Sequence, residues 1–277
     1  MERIQAAIQK AKEQRGDVVA PPSGGIGGGI GGGLGRGAQR QAPVGPAWSG
    51  LAAFDPEPRL LARNHIVTFE DVDPAHSHFD ILRTKLLRTM QRSGWTSLGI
   101  TSPTSGCGKT TLALNLAFSL AHQHDVRTVL VELDLRRPSM ARQIGLKAPQ
   151  SMASVLQGTR GVAESFVRYG DNLAIGTNAQ SVRDSAELLM NGRTAEGIAA
   201  IKRAFLPDVI VYDLPPMLQS DDVMAFLPQI DCMLLVAGAE KSRLDEVDKC
   251  EKDLADQTNV LGVVLNSCRY MSEDFGY

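Results

Sequence analysis

With 277 residues and 43% hydrophobic content, the chain can fill one large core or two small ones. Its 29 basic and 31 acidic residues leave a formal charge of −2, which argues against a bulk electrostatic binder of nucleic acid. Cys107, Cys232, Cys250 and Cys268 form no close-spaced pair, no apolar run approaches the ~18 residues of a membrane span, and the N-terminus lacks a signal-peptide core. A cytoplasmic protein is expected, reaching the inner face of the plasma membrane only through a partner.

Met1–Arg15 is helix-prone, with Ile4, Ile8 and Ala11 on one stripe and basic residues among the polar positions. Ser23–Gly37 follows, with ten glycines in fifteen residues, a composition that cannot bury enough apolar surface to offset chain entropy. Its glycine repeats have no strand before them and no helix after, which excludes a nucleotide loop there. Gln41–Pro58 is rich in Pro and Ala and is predicted irregular, with Trp48 and Phe54 as sticky points. Residues 1–60 therefore read as a tether carrying a short recognition helix. A folded domain over 61–268 and a tail over 269–277 follow.

Within the domain, Asn64–Glu70 is predicted to be a short strand or extended segment, and His78–Gln91 is a helix with Phe79, Leu82, Leu86 and Met90 on one face. Ser97–Thr101 reads as a short buried strand and Leu112–Leu120 as a packed helix. Between them lies Pro103-Thr-Ser-Gly-Cys-Gly-Lys-Thr-Thr111. A strand, a small-residue turn ending Gly-Lys-Thr, and a helix aim backbone N–H groups at one point, where a phosphate accepts from them. Ser105, Gly106, Cys107, Gly108, Lys109, Thr110 and Thr111 are the predicted nucleotide-binding residues. Lys109 reaches the β- and γ-phosphates and Thr110 ligates Mg²⁺. Pro103 stands where the common pattern opens with Gly.

Thr128–Leu133 is a continuous apolar run broken by one acid, Glu132, and it leads into Asp134. Ligands of open α/β sheets sit at the carboxyl ends of strands, so Glu132 and Asp134 are placed near the phosphates. A helix-capping role for Asp134 is the bland alternative. Helices at Ser151–Gly158, Asp184–Asn191 and Arg193–Phe205 flank a strand at Asn172–Ile175. Asp208–Asp213 is a second apolar strand closing in an acid, the pattern of a Walker B element whose carboxylate serves Mg²⁺. Helices at Asp221–Leu227 and Lys241–Leu254 alternate with strands at Cys232–Ala237 and Val260–Asn266. This alternation predicts an α/β fold, a doubly wound and mostly parallel sheet of the P-loop NTPase kind.

Three segments, Ile100–Thr111, Val129–Pro138 and Val209–Pro216, resemble the Walker A, A′ and B motifs of bacterial tyrosine kinases of capsule and exopolysaccharide export. The likeness spans His78–Cys268, and Asp-Leu-Arg-Arg-Pro at 134–138 is its most specific part. The resemblance implies an ATP- and Mg²⁺-dependent kinase in which Lys109, Glu132, Asp134 and Asp213 are catalytic, with Thr110 and Asp213 serving the metal. It implies phosphorylation of tail tyrosines, here Tyr270 and Tyr277, usually on a neighbouring subunit of a homo-oligomer. It also implies activation by a membrane-embedded polysaccharide co-polymerase. The chain departs from the family at Glu132, where Asp is usual, and along an oligomerisation helix that usually carries Glu, Arg and Arg, whose places here hold Ser77, Asp80 and Arg83, so that only the last keeps the usual residue. A Min/Par-like ATPase switch is the alternative, although Thr104 occupies the place of the second loop lysine of those proteins. A non-catalytic ATP-binding regulator of a polysaccharide exporter is the third reading.

Overall fold

The computed structural model describes residues 46–69, 75–147 and 150–268. The predicted N-terminal helix, the glycine-rich stretch and both tail tyrosines lie outside the described residues.

The elements run α1 (Pro46–Ser49), β1 (Ala52–Ala53), α2 (Pro58–Arg63), α3 (His76–Ser93), β2 (Ser97–Thr101), α4 (Lys109–Ala121), β3 (Thr128–Glu132), α5 (Met140–Ile144) and α6 (Met152–Leu156). They continue with β4 (Val167–Tyr169), β5 (Leu173–Gly176), α7 (Ser185–Met190), α8 (Gly192–Phe205), β6 (Val209–Asp213), α9 (Asp222–Phe226), β7 (Cys232–Gly238), α10 (Leu244–Ala255) and β8 (Asn259–Asn266). One sheet is ordered β1-β4-β5-β3-β6-β2-β7-β8. Neighbours from β5 to β8 pair in parallel, whereas β4 pairs antiparallel with β5 and carries β1 alongside it.

Side chains alternate between two cores, as a strand's two-residue period requires. Leu130, Val209, Val211 and Leu234 face the layer of α3 and α4, while Val129, Val131, Ile210 and Tyr212 face the layer of α6 and α8. The predicted doubly wound sheet is therefore present. Central strands β2, β3, β6 and β7 are buried along their whole length, which is why they read as unbroken apolar runs rather than alternating ones.

Two expectations are corrected. Residues 46–58 are not irregular: Trp48 is 1% exposed, stacks edge-on against Phe205, and donates its indole N–H to the Phe205 carbonyl at 2.8 Å. That carbonyl is among those a helix C-terminus leaves without an intrahelical donor, so Trp48 both fills the core and caps α8. Residues 64–69 are not a strand either. The backbone N–H groups of Val67 and Thr68 donate to Oδ1 of Asn115, whose Nδ2 donates to the carbonyls of His65 and Thr111. One buried amide on α4 thus satisfies a passing segment that no strand pairs with.

Candidate nucleotide-binding site

β2, β3 and β6 end side by side. Asp213 pairs in register with Ile100 on one side and with Glu132 on the other. From β2 the chain enters the loop and α4. The excursion from β3 goes to one side of the sheet and β7 lies on the other, so the site sits at a topological switch point.

The loop is built as its composition requires. Gly106 and Gly108 have φ of +76° and +86°, a region that costs a side-chain-bearing residue about 1 kcal/mol or more. Gly108 directly precedes α4, and its carbonyl accepts from Leu112 N–H at 2.8 Å, starting the helix. Asn266, at the end of β8, donates to the Cys107 carbonyl at 2.9 Å. Behind β6, the Met217 and Leu218 amides donate to the Ser102 and Pro103 carbonyls, and Thr101 Oγ1 donates to Pro215 O at 2.7 Å. The turn after β6 is thereby laced to the loop, and the prolines there leave carbonyls free to accept.

Lys109 Nζ lies 2.7 Å from Asp134 Oδ2, both side chains being largely buried. Burial alone would lower the Lys109 pKa, but the charges of Asp213 and Asp134, with the Asp134 hydrogen bond, hold it above the usual lysine value. Asp213 is fully buried, and neither of its carboxylate oxygens has a hydrogen-bond partner. Burial pushes its carboxyl up to about 6, against the pull of Lys109 and the nearby Thr110 hydroxyl. A buried acceptor left unsatisfied costs about 1–3 kcal/mol, so these oxygens call for a cation or donor. Thr110 is 7% exposed beside it, and this hard oxygen pair fits Mg²⁺.

Sequence reasoning thus brought Lys109, Thr110, Asp134 and Asp213 to one place, and the structure keeps them together. Glu132 is different. Its Oε1 accepts from the Ser139 and Met140 amides at 2.6 and 2.8 Å, and its Oε2 accepts from Asn178 N–H at 2.9 Å. It is completely buried, and burial pushes its carboxyl up to about 7 against those three amides. Its geometry is that of an anchor that ties the start of α5 and the end of β5 to β3. Glu132→Gln would turn one oxygen into a donor facing a backbone N–H, so a loss of about 1–3 kcal/mol is expected, read as a lower midpoint in thermal unfolding. Normal stability with lost activity would instead restore Glu132 as the base.

Beyond the predicted set, the loop carrying Asp134 is held by an internal ion pair. Arg136 Nε donates to Asp222 Oδ1 at 3.2 Å and to Ser185 Oγ at 2.9 Å, and Ser185 donates to Asp222 Oδ2 at 2.6 Å. Asp222 is completely buried. No sequence spacing signals this cluster, because Arg136, Ser185 and Asp222 come from three separate segments. Along α3, Asp80 pairs with Arg83 at 2.7 Å, and Arg83 donates to the Ser119 carbonyl. Asp80 and Arg83, two positions compared with an oligomerisation helix, are thus tied together and to α4 within the chain.

Residues 98–273 match the model of the CobQ/CobB/MinD/ParA nucleotide binding domain. The chain is 29% identical over 210 residues to EpsB of Ralstonia nicotianae, which is named provisionally as a tyrosine-protein kinase; the match covers 74% of this chain and 27% of EpsB. It is 25% identical over 220 residues to the tyrosine-protein kinase YwqD of Bacillus subtilis, covering 78% of this chain and 92% of YwqD. The kinase domain of the Escherichia coli tyrosine kinase ETK superposes with a TM-score of 0.65 at 25% identity, covering 74% of this chain and 82% of that one. The chain spans about a quarter of the length of the EpsB relatives it matches. With the match extending over more than half its length, the chain belongs to the CobQ/CobB/MinD/ParA nucleotide-binding domain family, with the P-loop NTPase fold.

Proposed function

We propose that the chain is an ATP-dependent protein tyrosine kinase that phosphorylates Tyr270 and Tyr277 and regulates polysaccharide polymerisation and export. The observation that carries this reading is the convergence on one loop of a buried lysine, its carboxylate partner and a second, unpartnered carboxylate. Similarity to EpsB, YwqD and the ETK domain supports the choice of tyrosine as acceptor.

In this reading Ser105 to Thr111 bind the triphosphate, and Lys109 leaves Asp134 to neutralise charge on the transferring phosphoryl group. Asp134 Oδ2, released from the ammonium, takes the proton of the tyrosine hydroxyl, a poor nucleophile at neutral pH. The bond from the γ-phosphorus to its bridging oxygen breaks as the bond to the tyrosine oxygen forms, and ADP leaves. Thr110 and Asp213 would hold Mg²⁺, which spreads the negative charge of the phosphates. Glu132 keeps the Asp134 loop in place.

The proposed activator is a membrane-embedded co-polymerase, met at the inner face of the plasma membrane, with transfer between copies of the chain. Among the described residues no helix is long and apolar enough to cross a membrane. Residues 61–268 are proposed as the catalytic domain, whose core α1 and α2 join, and residues 269–277 as the acceptor tail. Incubation with γ-labelled ATP and Mg²⁺, followed by phosphopeptide mapping, tests the reading. Label on Tyr270 or Tyr277 supports the kinase. Free phosphate with unlabelled protein points to the Min/Par-like switch, and binding without turnover to a regulator.

A further inference from the structure

Lys241 lies outside every Walker segment, in the turn between β7 and α10. That turn is fastened to the nucleotide loop. Ser242 Oγ accepts from Gly238 N–H at 3.0 Å and lies 3.4 Å from Cys107 Sγ. A Cβ on Gly238 would sit 3.4 Å from Cys107 Cα, so the two backbones are in contact there. Glu240 adopts φ of +59°, a left-handed conformation that a residue with a side chain holds only when its surroundings enforce it. The next residue is Lys241. Its ammonium occupies the space that a Cβ on Gly106 would enter, and so it rests against the middle of the phosphate-binding turn.

Lys109 is neutralised by Asp134, but Lys241 is exposed and has no carboxylate within ion-pair distance among the described residues. A rigid turn that holds an unneutralised ammonium against an anion-binding loop is short of an acceptor. We propose that Lys241 is a nucleotide-binding residue whose ammonium takes an oxygen of the bound nucleotide beside Gly106. The assignment rests on the nucleotide-site reading given above. It also supplies a second cation from the turn after β7, where Thr104 leaves the loop itself without one.

Calorimetric titration of Mg·ATP and Mg·ADP into the full chain at low salt tests it, with Lys241→Met, Lys241→Arg and Lys249→Met as variants. Lys241→Met is expected to bind both nucleotides about tenfold more weakly. Lys241→Arg should recover most of that loss. Lys249→Met, which removes the same charge from the exposed side of α10, should bind normally. Unfolding of the nucleotide-free Lys241→Met protein should be unchanged, because the side chain has no ion-pair partner among the described residues. Equal affinity in Lys241→Met, or an equal loss in Lys249→Met, overturns the assignment while leaving the nucleotide site intact. A wild-type chain that binds neither nucleotide removes the site and the assignment together.

Discussion

Lys109→Met is expected to abolish protein labelling from ATP, by about a thousandfold or more, and to destabilise the nucleotide-free fold as well. Catalytically, the ammonium is the one buried cation at the loop, and phosphoryl transfer draws its acceleration from such fixed charge. Structurally, the same ammonium is the ion-pair partner of Asp134 at 2.7 Å and an electrostatic neighbour of Asp213 and Glu132. Removing one member of a buried pair leaves the other uncompensated, which costs about 3–5 kcal/mol. The double variant Lys109→Met/Asp134→Asn should regain a large part of that stability without regaining activity. Lys109→Arg separates the two roles. It keeps a cation opposite Asp134, so its melting point should stay near wild type, but a planar guanidinium cannot follow the phosphates as a flexible ammonium does. Calorimetry and labelling on the same preparations read both effects. Wild-type labelling by Lys109→Met would end the kinase reading outright.

Most of this site was legible because its chemistry is local. Gly106, Gly108, Lys109 and Thr110 lie within one turn, and a strand ending in an acid announces Asp213 by pattern alone. Glu132 shows where such reading stops. Its position at the end of a buried strand is common to a catalytic acid and to a structural one. What separates them is the fate of its oxygens, which depends on the Ser139, Met140 and Asn178 amides arriving from two other segments. Trp48 stands out in the sequence as a sticky point, but its place in the core does not, for a related reason. Pro- and Ala-rich sequence has no hydrophobic period to detect, and its place is set by the end of α8, 157 residues further along. The strand reading of 64–69 fails because a side-chain amide on α4, rather than a neighbouring strand, meets its backbone groups. The reversed strands β4 and β1 had no signal either, since three-residue and two-residue pairings are too short to carry alternation.

The nucleotide-free protein should become more stable as pH falls from 8 towards 5, and Asp213→Asn should remove the part of that dependence that sets in below about pH 6. Burial raises Asp213 from the ordinary 3.8 to about 6, so folding favours its protonated form. The stability belonging to that form is complete below about pH 4 and is lost as pH rises through 6. A gap of about two units corresponds to roughly 3 kcal/mol between the two limits. Glu132, raised from 4.5 to about 7, acts in the same direction and accounts for the slope that remains in Asp213→Asn. At pH 8 the variant should therefore melt higher than wild type, because a neutral amide replaces a carboxylate whose oxygens have no partner. Mg·ATP should reverse the order. A bound cation favours the ionised carboxylate, so the ligand should stabilise wild type strongly at pH 8 and Asp213→Asn hardly at all. Melting curves at pH 5 and pH 8, with and without Mg·ATP, contain the whole comparison. Parallel slopes for the two proteins, or equal protection by Mg·ATP, would mean that Asp213 is an ordinary buried acid. The gain in apo stability and the loss of ligand protection must come from the same substitution, because one unsatisfied carboxylate accounts for both.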